Sequence, residues 1–172
     1  TGGSTSTALD LTEQTKLEEL DARGTKVQSV TFAKGAPVAK AYLPGTLTTL
    51  RLEYLPKLTA ANLTLETWSN VRTLIFDTCP GLNWETILNR CANIDRLRVT
   101  GIDREDDGTW LNRFVNTGGV DAEGNSTDTC ALVGTVRLTK YLDEDTYAAY
   151  ITHFPELNIR QPEYTMIEFD DD

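Results

Sequence analysis

The segment Val71-Arg72-Thr73-Leu74-Ile75-Phe76 has the spacing φ-x-x-φ-x-φ, where φ is an apolar residue and x is any residue. Side chains alternate between the two faces of a β-strand, so the last two apolar residues point to the same side. The spacing returns in five other places, and successive copies begin about 20 to 24 residues apart, except for one longer step across residues 100–132. The six copies are Val27-Val30-Phe32, Leu47-Leu50-Leu52, Val71-Leu74-Phe76, Ile94-Leu97-Val99, Val133-Val136-Leu138 and Phe154-Leu157-Ile159.

A unit of this length is too small to bury its own apolar face, so neighbouring units must stack and cover one another. Self-similarity at this period is typical of solenoids of the leucine-rich type. We therefore predict an α/β fold, a leucine-rich-repeat-like solenoid. A parallel β-sheet would form one face, and short helices or extended returns would form the other.

A second repeat supports this prediction. The hexapeptide Leu-Asn-Arg-Cys-Ala-Asn at residues 88–93 returns as Leu-Asn-Arg-Phe-Val-Asn at residues 111–116, and a looser copy lies at residues 65–70. Leu followed three residues later by a bulky or sulfur-containing side chain has helical spacing. The final Asn suits a turn, because its side chain hydrogen-bonds to backbone. These three units predict the order strand, loop, short helix, Asn and next strand.

The N-terminal part differs from this pattern. Two weaker copies of the apolar spacing lie about half a period away from the strands that begin near Val27 and Leu47. They favour return segments that are extended in this part of the chain. A short amphipathic helix within residues 10–22 is an alternative that the sequence leaves open. The weaker copies are Leu17-Leu20-Ala22 and Val38-Ala41-Leu43.

The domain organisation follows from these patterns. Residues 1–10 begin with a stretch rich in Gly, Ser and Thr and are expected to be a linker or the boundary of an expressed fragment. Residues 11–160 form the predicted solenoid. Residues 116–131 are polar and rich in Gly, so we expect them to be a loop inserted on one face. Residues 161–172 are expected to be a capping strand or an acidic tail.

Composition excludes several classes of function. The formal net charge of −10 argues against a general nucleic-acid binder, which needs positive charge to displace counterions from phosphates. No apolar run approaches the roughly 18 residues of a membrane span, so no membrane insertion is expected. Three cysteines are too few and too scattered for a disulfide framework or a zinc site. We expect all three to be buried, reduced thiols: Cys79, Cys91 and Cys130.

The sequence predicts no catalytic, cofactor-binding or metal-binding residues. His153, the single histidine, falls at the end of a predicted helix, and nothing in the spacing places a nucleophile and an acid with it. The insertion offers oxygen atoms for a calcium ion, but Gly124 stands where the calcium-loop pattern requires a ligand. We expect a solvated polar loop at those positions, which are Asp121, Glu123, Asn125 and Asp128.

The third and fifth positions of the repeated spacing point away from the core. A parallel sheet would line these positions up in rows, which would bring arginines to one surface of an otherwise acidic protein. Two interpretations stay open: Thr and Arg simply solubilise an exposed face, or the face binds an acidic or carboxylate-bearing partner. The residues predicted for a partner-binding face are Arg51, Arg96, Arg98, Arg137, Thr49 and Thr73.

Several stretches carry a family resemblance that extends over roughly residues 11–160. They are residues 17–25 (Leu-Glu-Glu-Leu-Asp-Ala-Arg-Gly-Thr), 43–52 (Leu-Pro-Gly-Thr-Leu-Thr-Thr-Leu-Arg-Leu), 118–121 (Gly-Gly-Val-Asp), 132–136 (Leu-Val-Gly-Thr-Val) and 154–159 (Phe-Pro-Glu-Leu-Asn-Ile), together with Tyr150. In these stretches the chain resembles leucine-rich repeat segments of large virion proteins from phages and prophages of gut bacteria.

The resemblance implies a non-enzymatic structural or protein-interaction module without cofactors, located in the virion. Such a module would be associated with the phage tail or baseplate and would act in assembly or in host-surface contact. Its partners would be other proteins, either virion subunits or a host-surface receptor, and it could form a homo-oligomer. Related repeats also occur in bacterial surface proteins. The alternative is therefore a surface-exposed domain of a gut bacterium that binds a host or glycan ligand. A hydrolase that uses the acidic insertion is the least favoured hypothesis.

Overall fold

The computed structural model describes residues 7–162, and within this range the fold is α/β. The α-helices are α1 (Trp84–Arg90) and α2 (Glu144–His153), and short 3-10 helices cover Ala60–Asn62 and Thr109–Phe114. The strands, in chain order, are β1 (Ala8–Leu11), β2 (Glu19–Asp21), β3 (Ser29–Phe32), β4 (Lys40–Leu43), β5 (Thr49–Glu53), β6 (Leu63–Leu65), β7 (Thr73–Asp77), β8 (Arg96–Asp106), β9 (Gly119–Val120), β10 (Ser126–Thr127), β11 (Ala131–Leu138) and β12 (Leu157–Arg160).

Seven of these strands form one parallel sheet in the order β1-β3-β5-β7-β8-β11-β12, so each strand lies beside the previous strand of the same sheet. A smaller parallel sheet has the order β2-β4-β6 and is built from the connections between the first four strands of the large sheet. Strands β9 and β10 form an antiparallel hairpin. Within residues 7–162 no set of strands closes into a barrel. The predicted parallel sheet is confirmed.

The return segments are extended for longer than the sequence predicted. Strands β2 and β4 confirm the prediction of extended returns, and the helix considered within residues 10–22 is wrong because residues 12–18, which lead into β2, form turns and coil. The helix predicted at residues 65–70 is also wrong. Leu65 ends strand β6, where it pairs with Leu43 of β4, and a turn follows. Leu65 and Trp68 point towards the core both in a helix and in a strand end followed by a turn. Their spacing alone therefore did not distinguish these two structures.

The core lies between the large sheet and the return segments. Of the eighteen apolar positions in the six copies of the repeated spacing, all but Val27, Ile94 and Val133 are buried, and these three are half-buried. Full burial of a Leu or Val side chain stabilises a fold by about 1.5 to 3 kcal/mol, so this stripe is the main source of stability. No polar or charged residue in the described range is buried. All three cysteines are buried free thiols, as predicted.

Polar side chains that precede the strands tie each repeat to the one before it. The Asn70 side chain donates a hydrogen bond to the Gly45 carbonyl oxygen at 2.7 Å, and Asn93 donates to Ser69 at 2.9 Å. Thr46, at the equivalent position one repeat earlier, donates from its hydroxyl group to Val27 at 2.6 Å. Two of the three Asn residues expected before strands, Asn70 and Asn93, therefore do bind backbone, and that backbone belongs to the preceding repeat.

The later returns are helical, and their ends are capped. Helix α2 begins after Asp143, whose carboxylate accepts a hydrogen bond from the Thr146 backbone N–H at 2.8 Å. Helix α1 is capped in the same way by Asn83, whose side chain accepts from the Glu85 N–H. Neither helix in the described range is long and apolar enough to cross a membrane.

The ends of the described range differ from the expected boundaries. The large sheet begins at Ala8, inside the segment 1–10 that was expected to be a linker. At the other end, the Leu142 backbone N–H donates to Gln161, and the Tyr141 hydroxyl group donates to the Pro162 carbonyl oxygen. The expected capping strand or acidic tail over residues 161–172 otherwise lies outside the described residues.

Candidate functional site: the outer face of the large sheet

The outer face of the large sheet is the side that points away from the core. On this face the strand register places Thr49, Thr73 and Arg96 opposite one another on β5, β7 and β8. The next row contains Arg51, Ile75 and Arg98. Adjacent strands lie about 4.8 Å apart, so Arg51 and Arg98 are about 10 Å apart across the sheet. The register thus brings together five of the six residues predicted for a partner-binding face.

The sixth predicted residue, Arg137, lies elsewhere on the same face. Arg98 is opposite Ala131, whereas Arg137 is opposite Glu105, about 20 Å further along the strands. The cause is the length of β8. Gly101 has a φ of +86° and is skipped in the pairing with β11, so β8 continues past the level where β7 ends and pairs with the second half of β11. The last copies of the repeat are therefore displaced along the strand direction.

Arg137 also has its own acidic partners. Its guanidinium donates a hydrogen bond to the Asp103 carboxylate at 2.5 Å and lies 4.0 Å from the Glu105 carboxylate. All three side chains are exposed, so these pairs contribute little to stability. The structure corrects the expectation of one arginine ladder: Arg137 sits in a neutralised, exposed group, and the other arginines form a separate cluster.

The hairpin of β9 and β10, residues 119–127, lies over the other arginines. The Arg96 guanidinium donates a hydrogen bond to the Thr127 carbonyl oxygen at 2.5 Å, and Arg98 donates to the Val120 carbonyl oxygen at 3.5 Å. At the tip of the hairpin, a Cβ atom placed on Gly124 would lie 2.8 Å from a terminal nitrogen of Arg51. The insertion therefore folds back onto the predicted partner-binding face and covers its three arginines.

Burial on the outer face shows the effect of this cover. Ile75 and Ala131 flank Arg98 in the same row and point away from the core, yet they are only 2% and 7% exposed. Val120 of the hairpin, whose carbonyl oxygen meets Arg98 between them, is 3% exposed. We call Ile75, Val120 and Ala131 the outer cluster. All three are buried, although they lie on the side of the sheet opposite to the main core.

The hairpin leaves and re-enters the sheet at almost the same point. Gly118 forms a parallel bridge with Arg96, and Ala131 pairs with Arg98 two residues further along β8. Cys130 alone remains to fill the intervening position, and its thiol lies 3.8 Å from the Leu97 carbonyl oxygen. Residues 119–129 thus form a loop that is inserted at a single position of the strand pairing. The observed insertion is shorter than the predicted one, which covered residues 116–131.

Glycine is required where the hairpin meets the sheet. A Cβ atom on Gly118 would lie 2.0 Å from an Arg96 guanidinium nitrogen, and one on Gly119 would lie 2.1 Å from the Thr129 carbonyl oxygen. At Gly119 the obstacle is backbone, so no side chain fits there, whereas at Gly118 the Arg96 guanidinium would have to move aside.

The tip of the hairpin is held by its own aspartate. The Asp121 carboxylate accepts hydrogen bonds from the backbone N–H groups of Asn125 at 2.8 Å and Glu123 at 3.0 Å. The bond from Asn125 is the main reason that the pKa of Asp121 is lowered. This carboxylate stabilises the turn, as expected for a polar loop. Among residues 7–162, no group of three or more His, Cys, Asp or Glu side chains is arranged to hold a metal ion.

A polar cleft of about 580 Å³ lies at the base of the hairpin. His153, at the end of α2 as predicted, contributes to its wall, and its Nε2 atom lies 2.9 Å from the Thr117 carbonyl oxygen. Arg72 and Asp95 lie on the opposite side and form an exposed ion pair at 3.6 Å. The cleft joins the base of the hairpin to the ends of the strands and mixes both signs of charge.

The charges on the outer face are unevenly compensated. Arg51 forms an ion pair with Glu53 at 3.1 Å, and both side chains are mostly covered. Arg96 and Arg98, in contrast, form no ion pair with any residue in the range that the structure describes. Their hydrogen bonds go to neutral carbonyl oxygen atoms of the hairpin. Two half-buried cations in a protein with a net charge of −10 therefore lack an acidic partner.

Comparison of the chain with protein-family models, with curated protein sequences and with solved structures gave no match. The candidate site consequently rests on its own geometry. Sequence reasoning placed the arginines on the outer face but did not place the hairpin on top of them. One available signal was Val120, a lone large apolar residue in a polar insertion. Another was Ile75, an apolar residue at a position where the neighbouring repeats carry Arg.

Proposed function

We propose that this chain is a non-enzymatic structural and protein-interaction module, built as a leucine-rich-repeat-like solenoid. It belongs to a phage virion protein associated with the tail or baseplate and acts in assembly or in host-surface contact. Its partners are other proteins, either virion subunits or a host-surface receptor, and it inserts into no membrane and binds no nucleic acid. The virion assignment is supported by the resemblance of residues 11–160 to repeat segments of such proteins.

The solenoid is supported by the order of the strands. Chain order and spatial order agree through all seven strands of the large sheet. Thr46, Asn70 and Asn93 each donate a side-chain hydrogen bond to a backbone carbonyl oxygen of the preceding unit, and they lie 24 and 23 residues apart along the chain. A stack of units, each covering the next, is the arrangement that gives such periodic contacts.

An interaction module is favoured over an enzyme by the use made of the titratable groups. Burial raises the pKa of each cysteine thiol to about 11, which leaves the thiolate nucleophile scarce at neutral pH. The aspartates with lowered pKa values each accept hydrogen bonds from a residue two to four positions away, which is the role of a turn or helix cap. They are Asp10, Asp21, Asp107, Asp121 and Asp143.

The single observation that carries the interaction role is the pair Arg96 and Arg98. They stand on a central strand of a broad sheet face, in an acidic protein, without a carboxylate partner among the described residues. Arginine recognises carboxylates in a planar, two-bonded geometry, so an acidic protein partner would satisfy both groups.

Fractionation would test the location. Antibodies raised against the chain should detect it in purified phage particles from the source culture, and mass spectrometry of those particles should identify the longer or neighbouring virion proteins. Detection only in the bacterial envelope fraction would instead support the alternative, a surface-exposed domain that binds a host or glycan ligand. Absence from both fractions would contradict both assignments.

Charge reversal would test the interaction role on a partner identified in this way. Arg96→Glu and Arg98→Glu should weaken binding, whereas Arg137→Glu is the matched control, because Arg137 lies on the same face in an exposed group that already contains two acids. Unchanged binding in all three variants would remove the outer face from the proposed function.

A further inference from the structure

We propose that the β9–β10 hairpin is an internal occupant of a binding face for acidic, extended peptide segments, and that a partner segment of this chemistry displaces it. This inference rests on the proposed function and deepens it, because it names the kind of partner and the state of the face before the partner arrives. Three features of the hairpin carry it: the charge beneath it, its shape, and the way it joins the sheet.

The first feature is the charge that the hairpin leaves unsatisfied. Arg96 and Arg98 donate to the carbonyl oxygens of Thr127 and Val120, which are neutral acceptors. A carboxylate accepts the same bonds, adds an attraction between opposite charges, and can bind a guanidinium group through two parallel N–H···O bonds. An acidic segment would therefore make better contacts with the same two guanidinium groups than the hairpin makes.

The second feature is the shape of the occupant. The hairpin meets the face with extended backbone and with Val120, whose carbonyl oxygen accepts a hydrogen bond from Arg98 and which is only 3% exposed. Arg96 and Arg98 are two residues apart on one strand, about 7 Å along it. Side chains two residues apart on an extended peptide have the same spacing. The face thus fits an extended segment with alternate acidic residues and an apolar anchor.

The third feature is the way the hairpin is joined to the sheet. Its two strands share only two paired positions, Ser126 with Val120 and Thr127 with Gly119. An isolated hairpin of this size is marginal in water and depends on docking. Gly118 and Ala131 keep their own pairing with β8 on either side of the insertion. The hairpin can therefore lift from the face while the register of the large sheet stays intact.

Deletion of residues 119–129 provides the direct test. The deletion joins Gly118 to Cys130 and leaves one residue opposite Leu97, as an uninterrupted parallel strand requires. The probe is a fluorescent five-residue peptide with a central Val flanked on each side by Asp and Glu, and the control peptide carries Asn and Gln instead. Binding is measured by fluorescence anisotropy at low and high salt, after circular dichroism and a cooperative thermal transition have shown that the variant is folded.

We expect the deletion variant to bind the acidic peptide at least about tenfold more tightly than the intact chain. If the hairpin is docked in at least about nine of every ten intact molecules, the apparent affinity of the intact chain falls by that factor. The control peptide should not bind, and salt should weaken binding. Adding Arg96→Gln and Arg98→Gln to the deletion should abolish binding, and adding Arg137→Gln should leave it unchanged. A folded deletion variant that binds no more tightly than the intact chain would overturn the proposal.

A second measurement uses the intact chain and holds even if the deletion variant fails to fold. At a saturating concentration of the acidic peptide, amide hydrogen exchange should accelerate at Asp121 and Gly124, whose N–H groups are bonded within the hairpin, and should stay unchanged at Leu74 in β7. Binding without this acceleration, or no binding at any peptide concentration, would refute displacement. A virion partner that is captured while the hairpin stays protected would refute this inference alone and leave the proposed function standing.

Discussion

Substitution of Ile75 by Ala measures how firmly the hairpin covers the outer face. Ile75 points away from the main core but is only 2% exposed, and the hairpin lies on the neighbouring Arg98 of the same row, so we expect the insertion to cover Ile75. The change removes three carbon atoms, which at about 0.8 kcal/mol per buried methylene corresponds to about 2.4 kcal/mol, before any cavity term. On a face open to water, the same change would cost no more than about 0.5 kcal/mol beyond strand propensity.

A double-mutant cycle separates the cover from other effects. In the variant that lacks residues 119–129, Ile75 is exposed, so the cost of Ile75→Ala should fall by about 2 kcal/mol relative to the intact chain. Strand propensity, which is worth up to about 1 kcal/mol, is the same in both backgrounds and cancels. Leu74→Ala is the matched control, because the neighbouring side chain faces the main core and should cost about 2 to 5 kcal/mol in either background.

Urea unfolding followed by tryptophan fluorescence provides the assay. With a slope of about 2 kcal/mol/M, a loss of about 2.4 kcal/mol lowers the midpoint of the intact chain by roughly 1 M. Two results would refute the reasoning. One is an equal cost of Ile75→Ala in both backgrounds. The other is a cost below about 0.5 kcal/mol in the intact chain, because the hairpin would then not shield Ile75 from water.

The remaining predictions concern strain, pH and thiol chemistry. Thr78 has a φ of +43°, so Thr78→Gly should raise the free energy of unfolding by about 0.5 to 1 kcal/mol. Thr64→Gly in the extended strand β6 should instead lower it. Chemical denaturation measures both changes, and two changes of the same sign would contradict the prediction. The hydrogen bond from Arg23 lowers the pKa of Asp21 from 3.8 to about 2, so the ionised carboxylate stabilises the fold above pH 3.8, and this contribution is lost as the pH falls to about 2. Asp21→Asn should flatten the stability profile in that window, and an unchanged slope would contradict this assignment. Burial raises the pKa of all three thiols, which belong to Cys79, Cys91 and Cys130. Thiol-specific reagents at pH 8 should therefore label the folded chain at least about a hundredfold more slowly than the urea-unfolded chain. Rapid labelling of the folded chain would contradict this prediction.

The sequence could predict the repeated strands because burial at alternate positions is a local requirement. One row on the core side of three adjacent strands contains Leu50, Leu74 and Leu97. Each must be apolar so that water is excluded from its neighbours. The same requirement applies in every repeat, so the pattern is periodic and can be found without knowledge of the fold. The start of α2 was predictable for a similar reason, since the cap needs an acceptor such as Asp143 next to the first free N–H groups.

The sequence could not predict features that depend on one strand meeting another. Strand β1 has only Leu9 and Leu11 on its inner side, which is too short a pattern to separate from a loop. The position of Arg137 depends on Gly101, where a skipped pairing lets β8 extend beyond its neighbour β7. A repeat aligned by its apolar spacing gives no sign of that displacement. The apolar spacing therefore predicted correctly which residues of β11 face inward and outward, but it predicted the register of β11 against β8 wrongly.

Docking of the hairpin is the least predictable feature, because the contact between Val120 and the outer face joins parts of the chain that no local pattern connects. Its placement does, however, explain an otherwise contradictory sequence signal. Ile75 stands at an outward position where an exposed face would favour a polar residue, and the insertion itself is almost entirely polar. Both exceptions fit a covered outer face, on which Ile75 is 2% exposed and Val120 is 3% exposed.

The arginines beneath the hairpin connect the docking of the insertion to the proposed binding of a partner. A hydrogen bond that involves a charged group contributes about 1.5 to 3 kcal/mol, and ordering an arginine side chain costs up to about 2 kcal/mol in entropy, so the bonds from Arg96 and Arg98 to carbonyl oxygens roughly offset that cost. Burial of Val120, which is 3% exposed, adds to the docking of the hairpin. Under our proposal, a carboxylate that reaches the same two guanidinium groups adds an attraction between opposite charges, and it does so after the hairpin has moved.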